Sequence, residues 1–246
     1  MNEIFFRLVS ALSLQDGVTV GGYSNGTAGN TSDALFGPFG IAVGIDDSLF
    51  ISEYGNSRVT QFPVNSLTGR VLAGTGVAGN SLNQLNGPSH LYVDAASNIY
   101  VSDNLNARVM FWANGSSSGV SITGTLPNYS RVIGIAVDSQ KNIYISESDN
   151  HRITKWTPNA TSGLVIAGNG TQGNDSRHLA YPFGLYLDEV HSYIYVADYL
   201  NNRIQRFTLG GSINGTTVAG GNGPGSNNNQ LYQPQAVCVS KKTGAI

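Results

Sequence analysis

One sequence pattern recurs four times along the 246 residues of the chain. Each copy has an apolar run, a second run of the Ile-Tyr-Val-Ser-Asp kind, an asparagine two residues before an arginine, and a closing aromatic residue. The arginines that mark the copies are Arg58, Arg108, Arg152 and Arg203, at spacings of 50, 44 and 51 residues. A period in this range is typical of solenoids, arrays and propellers, so the repeat limits the possible folds more than any other feature.

Each copy predicts four short β-strands. β-branched and aromatic residues fill the strands, while Gly, Asn, Ser and Pro fill the gaps, and no stretch shows a convincing helical period. Radial repetition of four-stranded sheets buries their faces, and small residues such as Gly40 and Gly134 would let the first strands crowd around the axis. We therefore predict an all-β fold: a β-propeller of four-stranded antiparallel blades, with four complete blades, partial terminal blades, and five or six blades in the intact protein.

The copies resemble the NHL repeat, whose unit reads roughly Pro-x-Gly-Ile-Ala-Val-Asp, then Ile-Tyr-Val-Ala-Asp, then Asn-x-Arg-Ile-x-x-Phe. The resemblance covers about residues 18–240 and is closest at Pro38-Phe39-Gly40 and Pro182-Phe183-Gly184. The third copy departs with Val132-Ile133, and the second has His90 in place of glycine. The resemblance implies a propeller that is most often six-bladed, which favours a fragment of a longer protein over a complete domain.

The domain interpretation follows the repeat boundaries. We treat residues 1–246 as a single NHL-repeat propeller, with a partial blade and loop over 1–37. Val18–Gly22 is interpreted as a fourth strand with Arg7–Val9 as a candidate partner, and Gln235–Ser240 as a first strand. The predicted blades are 38–87, 88–131, 132–181 and 182–233, and the inner strand of a further blade is 234–246.

An acidic residue and an arginine stand at the two ends of a four-residue hairpin loop in every copy, as Glu53 and Arg58 do. Such positions face each other, and opposite charges there contribute about 0.2–1 kcal/mol. Because the pair recurs in every unit, a structural role is favoured over a catalytic one. The third loop position is expected to be left-handed; it is occupied by Asn56, Asn106, Asn150 and Asn201.

Composition limits the classes of partner that the chain can bind. A net charge of −2, with 13 Lys and Arg, leaves little positive field, so no nucleic-acid partner is predicted. No apolar run approaches the ~18 residues of a membrane span, so none is predicted in this chain. The single Cys238 excludes an internal disulfide, and its place in a presumed inner strand predicts a buried thiol.

Eight Asn-x-Ser/Thr sequons fall in predicted connections between strands, where roughly four would arise by chance from the Asn, Ser and Thr content. The excess favours an extracellular or cell-surface glycoprotein. The glycosylation candidates are Asn25, Asn30, Asn114, Asn128, Asn159, Asn169, Asn174 and Asn214.

Catalytic and metal-binding clusters are not evident. Of the four histidines only His90 begins an inner strand, so we predict no catalytic residue, metal site or cofactor. Asp94, Asp138 and Asp188 end first strands and could hold calcium as a ring, but backbone hydrogen bonding at the strand-to-turn junction is favoured. Loop residues are the remaining candidates for a binding face: Phe39, Tyr54, His90, Leu105, Asp149, Phe183, Tyr199 and Leu200.

The favoured function is a non-enzymatic scaffold that presents a loop-built propeller face to a protein or glycan partner outside the cell. One alternative is a divalent-metal-dependent propeller lyase or hydrolase that uses His90 and the recurring aspartates. Another is the substrate-recognition end of a larger intracellular protein such as a ubiquitin ligase, a combination that part of the resembling family contains.

Overall fold

A computed structural model describes residues 18–23, 25–240 and 245–246 of the chain. It is all-β, with four four-stranded antiparallel sheets that are the blades of a β-propeller fold, and this confirms the predicted fold class. In each sheet the spatial order of the strands follows the chain. The strands are β1 Pro38–Val43, β2 Leu49–Glu53, β3 Arg58–Phe62 and β4 Arg70–Ala73; β5 Pro88–Val93, β6 Ile99–Asp103, β7 Arg108–Trp112 and β8 Val120–Ser121; β9 Val132–Val137, β10 Ile143–Glu147, β11 Arg152–Trp156 and β12 Leu164–Ala167; β13 Pro182–Asp188, β14 Tyr193–Asp198, β15 Arg203–Thr208 and β16 Thr216–Gly220.

The chain divides into two compact units. The first comprises residues up to Ile99 together with Phe111–Val120, and it contains β1 to β5. The second comprises Tyr100–Met110 and Ser121–Ile246, and it contains β9 to β16.

Strand β1 packs closely against β5 in the first unit. A Cβ atom at Gly40 would lie 2.6 Å from the Ser89 carbonyl oxygen and 2.8 Å from the His90 Cα atom. The Ser52 hydroxyl accepts a hydrogen bond from the Gly40 amide at 2.8 Å and donates to the Ser89 carbonyl. The predicted crowding of first strands through small residues is confirmed here, and a serine on the second strand joins the two strands.

The second unit repeats this arrangement between β9 and β13. A Cβ atom at Gly134 would lie 2.5 Å from the Phe183 carbonyl oxygen. The Ser146 hydroxyl accepts from the Gly134 amide at 2.6 Å and donates to the Phe183 carbonyl at 2.6 Å. Apolar side chains of these blades fill one core, whose buried members are Ala136, Tyr144, Ile153, Ala167, Leu179, Ile194, Val196 and Phe207.

The segments outside the four sheets contain no assigned strand in the described residues, so the strands expected over Val18–Gly22 and Gln235–Ser240 are not formed as such. The Gln235 carbonyl nevertheless accepts from the Gly184 amide at 2.9 Å, and Val237 and Val239 pack on the fourth blade. The prediction of a buried Cys238 is wrong, because alternation turns the valines towards the blade and leaves the thiol exposed. Arg7–Val9 lies outside the described residues, and the proposed domain boundaries stay a prediction.

The carboxylates of the repeated charge pairs are buried, and so are three of the four arginines. Glu53 and Arg58 are register partners across the hairpin, as predicted, with 2.6 Å between Oε1 and Nε. Glu53 is fully buried and also receives hydrogen bonds from the Asn56 amide group at 2.6 Å and the Thr60 hydroxyl. A carboxylate-to-arginine ion pair recurs in the other three blades at 2.6–2.7 Å, through Nε in the second and fourth blades and through Nη2 in the third.

The backbone prediction for the hairpin asparagines is wrong by one position. The left-handed residue is the fourth of each loop, which is Ser57, Ala107, His151 or Asn202. The third position instead turns its asparagine side chain inward, where Nδ2 donates to the buried carboxylate at 2.6–2.9 Å. Asparagine is therefore selected for a side-chain bond and not for backbone freedom.

Candidate functional site

Three of the predicted binding residues meet at the ends of strands in the first unit. The ring of Phe39 lies 6.2 Å from that of Tyr54 and 5.5 Å from that of His90, the latter edge to face. Tyr54 belongs to the β2–β3 hairpin loop and is 38% exposed. The three rings form a partly exposed aromatic surface on a rigid frame, which suits contact with a partner.

Two further candidates stack on each other in the second unit. Phe183 and Tyr199 have ring centroids 4.3 Å apart at an angle of 14°, and the Tyr199 hydroxyl donates to Oε1 of Gln233 at 2.9 Å. Leu200, beside this stack, is exposed, and its amide donates to the Ala180 carbonyl at 3.1 Å. Packing and hydrogen bonds thus fix an aromatic pair whose outer parts remain accessible.

The remaining two candidates differ in their surroundings. Leu105 is exposed in the short turn Asn104–Asn106. Asp149 is bound by Arg131, with 2.7 Å from Nη2 to Oδ1 and 3.0 Å from Nε to Oδ2. Burial raises the pKa of Asp149, but the hydrogen bonds from Arg131 outweigh it and leave the pKa below its ordinary value.

Sequence reasoning missed the neighbours of Asp149. The Arg131 guanidinium lies 5.9 Å from the ring centre of Tyr181, whose edge-to-face partner is His151 at 4.7 Å. The Tyr181 amide donates to Nδ1 of His151 at 3.2 Å, and burial lowers the pKa of that imidazole. These residues come from connections and a hairpin loop, so no short sequence motif contains them all. The one available sequence signal was Tyr181, the aromatic residue before Pro182.

The aspartates at the first-strand ends support turns. The Asp94 carboxylate accepts from the amides of Ala96 and Asn98, both at 2.9 Å, and Asp138 does the same for Gln140 and Asn142 at 3.0 and 2.8 Å. The favoured interpretation of backbone hydrogen bonding is therefore confirmed for these two. Within the described ranges, no group of three or more His, Cys, Asp or Glu residues is close enough to hold a metal ion.

All eight predicted glycosylation candidates have exposed side chains, and none lies in a strand. In the sequon that begins at Asn169 the asparagine and threonine are hydrogen-bonded to each other. Asn169 Oδ1 accepts from both the amide and the hydroxyl of Thr171, at 3.0 and 2.7 Å. Occupancy of these sites stays a prediction.

The sequence pattern of the NHL repeat matches residues 130–156, which contain β9 to β11 and the hairpin loop with Asp149. This match and the propeller fold together fit an NHL-repeat β-propeller family. No curated protein matches the chain at a significant level. Over the part of the chain that the structure describes, no helix is long and apolar enough to cross a membrane.

Solved structures similar to this chain share its fold at low identity. A chain of a nidogen/laminin complex has a TM-score of 0.64 and 16% identity, over 83% of this chain and 69% of that one. An auxiliary nutrient binding protein from Bacteroides thetaiotaomicron has a TM-score of 0.64 and 13% identity, over 84% and 55%. A catalytically inactive virginiamycin B lyase from Staphylococcus aureus, with quinupristin, has a TM-score of 0.56 and 18% identity, over 78% and 57%.

The chain spans 53–57% of the length of the lyase structures that it matches. At these identities the likeness establishes the propeller fold alone.

Proposed function

We propose that this chain is a non-enzymatic binding scaffold that presents loop-built surfaces at the ends of its blades to a protein or glycan partner. The observation that carries the proposal is the stack of Phe183 and Tyr199, held by Gln233 and open to solvent on its outer side. Rigid aromatic side chains supply large contact area at low entropic cost, which is why they dominate binding hot spots. The cluster of Phe39, Tyr54 and His90 offers a second surface of the same kind.

Two similar structures support a binding role by analogy. One belongs to a nidogen/laminin complex and another is an auxiliary nutrient binding protein. Propeller folds host many functions, so this analogy adds support only because the chain itself carries exposed aromatic clusters.

The test is capture of partners from medium conditioned by cells of the source organism, and on a glycan array, with biotinylated protein. Replacing an anchor in either cluster, as in Tyr54→Ala or Tyr199→Ala, should weaken capture about tenfold or more if that cluster carries a hot spot. Leu67→Ala and Val190→Ala are matched controls, because both side chains are exposed and lie outside the aromatic clusters. Undiminished capture by both tyrosine variants would contradict the proposal.

We further propose an extracellular or cell-surface location, which eight exposed sequons outside strands support. The mass of protein isolated from its own source should fall when Asn-linked glycans are removed enzymatically. Peptide mapping should then place the glycans among the eight asparagines. Native protein whose mass does not change would contradict this location and return the intracellular adaptor to consideration.

A further inference from the structure

The arginine of the fourth blade is enclosed by main-chain carbonyl groups. Arg203 Nε donates to Asp198, Nη1 donates to the Asn174 carbonyl at 2.7 Å, and Nη2 donates to the carbonyls of Asp175 and His178 at 2.9 and 3.1 Å. Those carbonyls belong to the connection Gly168–Tyr181, which precedes the blade. The arginine side chain is only 9% exposed as a result.

The first blade uses the same arrangement. Arg58 Nη1 donates to the Asn30 carbonyl at 2.8 Å, and Nη2 donates to the carbonyls of Thr31 and Ala34 at 3.0 and 3.2 Å. Three carbonyl oxygens from the preceding connection therefore satisfy the outer nitrogens of the guanidinium in each of these two blades.

Arg152 of the third blade lacks this enclosure. Both of its bonding nitrogens, Nε and Nη2, donate to the same Glu147 oxygen, at 2.9 and 2.7 Å. Among the described residues no atom accepts a hydrogen bond from its Nη1, and the side chain is 27% exposed. A guanidinium has five donors in a fixed fork, so an outward donor is available to a ligand.

The cause is a shortened connection. Counted from the glycine that lies 16 residues after the arginine of each blade, Gly124–Arg131 has eight residues, whereas Gly74–Gly87 and Gly168–Tyr181 have fourteen each. The six-residue difference equals the difference between the arginine spacings of 44 and 50. The short connection still reaches Asn150, whose Nδ2 donates to the Pro127 carbonyl at 3.3 Å, but it provides no carbonyl to Arg152.

The same connection presents an aromatic side chain. Asn128 and Tyr129 both have left-handed backbones, with φ of 56° and 50°, and the Tyr129 side chain is 80% exposed. Positive φ in a bulky residue is costly, so the turn holds this ring outward at the expense of local strain.

We propose that Arg152, Asn150 and the turn Pro127–Tyr129, with Asn128 unglycosylated, form a site for an extended peptide segment of a partner protein. A main-chain carbonyl of the segment accepts from Arg152 Nη1, as the chain's own connections do in the first and fourth blades, and Tyr129 packs against the segment. The inference rests on the proposed binding function and assigns it a place and a partner chemistry.

Local charge favours a carbonyl over a free anion. Glu147 balances Arg152, and Asp149 balances Arg131. Burial lowers the pKa of His151, so that imidazole adds no charge at neutral pH. The site therefore offers directed donors without net positive charge, which matches neutral peptide groups.

The test uses a phage-displayed library of random twelve-residue peptides selected on the wild-type chain, followed by calorimetric titration of the enriched peptides. Two variants alter the site: Arg152→Lys, which keeps the charge opposite Glu147 but loses the fork, and Tyr129→Ala. A third replaces Gly124–Arg131 with the sequence of Gly168–Tyr181, which should enclose Arg152. We expect affinity to fall about tenfold or more in all three.

Arg58→Lys is the matched control, since it makes the same change where the guanidinium is already enclosed by carbonyls, and peptide affinity should stay within about twofold. If the loop-replacement variant does not fold, as judged by circular dichroism, Arg152→Lys and Tyr129→Ala decide the result. Failure to enrich peptides, or peptides insensitive to both substitutions, would overturn the inference. Glycans that bind this site in place of peptides would overturn the assigned chemistry.

The two proposals fail separately. If Tyr54→Ala and Tyr199→Ala leave partner capture intact while enriched peptides respond to Arg152→Lys, the aromatic surfaces are wrong and the peptide site stands. If capture depends on the tyrosines while the peptides ignore Arg152, the peptide site is wrong and the aromatic surfaces stand.

Discussion

Asp198 and Arg203 form a buried ion pair that also fixes the connection before their blade. Asp198 Oδ2 accepts from Arg203 Nε at 2.7 Å, and Oδ1 accepts from the Ala180 amide at 2.7 Å. Burial raises the pKa of Asp198 in spite of these hydrogen bonds. The Asp198 carboxylate therefore needs the Arg203 guanidinium as its counter-charge. The two side chains together hold the connection Gly168–Tyr181 in place.

Removal of this guanidinium should be severely destabilising. Arg203→Leu leaves Asp198 buried without a counter-charge, and we expect the free energy of unfolding to fall by about 3–5 kcal/mol. Urea denaturation followed by circular dichroism measures it. Arg177→Leu is the control, because that side chain is exposed and its loss should change stability by no more than about 0.5 kcal/mol. Equal losses of stability from the two substitutions would contradict the role of Arg203 as the buried counter-charge of Asp198.

Lysine should replace Arg152 more easily than Arg203. Each substitution keeps the positive charge, but Arg203→Lys loses up to three carbonyl hydrogen bonds whereas Arg152→Lys loses none to a carbonyl. At about 1 kcal/mol for each bond, Arg203→Lys should be more destabilising by about 1–3 kcal/mol. Parallel urea titrations compare the two, and a larger loss for Arg152→Lys would refute the difference in enclosure.

Acidification should loosen the contact between His151 and Tyr181. Nδ1 must be unprotonated to accept from the Tyr181 amide, and burial lowers the pKa of His151 below 6.5. The folded chain then binds fewer protons than the unfolded chain, so this stabilisation is present above pH 6.5 and is lost as pH falls through the lowered pKa. Melting temperatures at pH 7 and about pH 5 should differ less for His151→Asn than for the wild type, and NMR titration should give the lowered pKa directly.

A methyl group at Gly134 should be poorly tolerated. The added Cβ would lie 2.5 Å from the Phe183 carbonyl oxygen, so β9 and β13 must separate. Overpacking of this kind costs about 1–3 kcal/mol, measurable as a lower melting temperature for Gly134→Ala. Gly211→Ala is the control, because the nearest atom to its Cβ lies at 3.3 Å on Thr208. Similar melting temperatures for the two variants would show that the strands can adjust.

The sequence predicted the blades because their information is local and repeated. A run such as Ile143–Glu147, followed after four residues by Arg152, indicates a hairpin from nearby residues alone. The arginine spacing of 44 also indicated a shortened connection. Only the structure shows that the short connection leaves Arg152 without carbonyl acceptors.

The candidate site was harder to predict because its contacts are between distant residues. Asp149 was identified as a loop residue, but its partner Arg131 lies in a connection, and Gln233 lies 34 residues from Tyr199. The burial of Glu53 was missed for the same reason, since its enclosure depends on packing and not on hairpin spacing.

An enclosed arginine bonds to a connection that precedes its own blade in the chain, and this matters when the protein is truncated. Arg203 orders the connection Gly168–Tyr181, which comes before its own blade in the chain. A shortened protein that ends at Tyr181 would keep this connection without the arginine that orders it, and would expose it to proteases. A truncation between the third and fourth blades should therefore fall before Gly168 and not before Pro182, so that the fourth blade keeps the connection at its amino-terminal side.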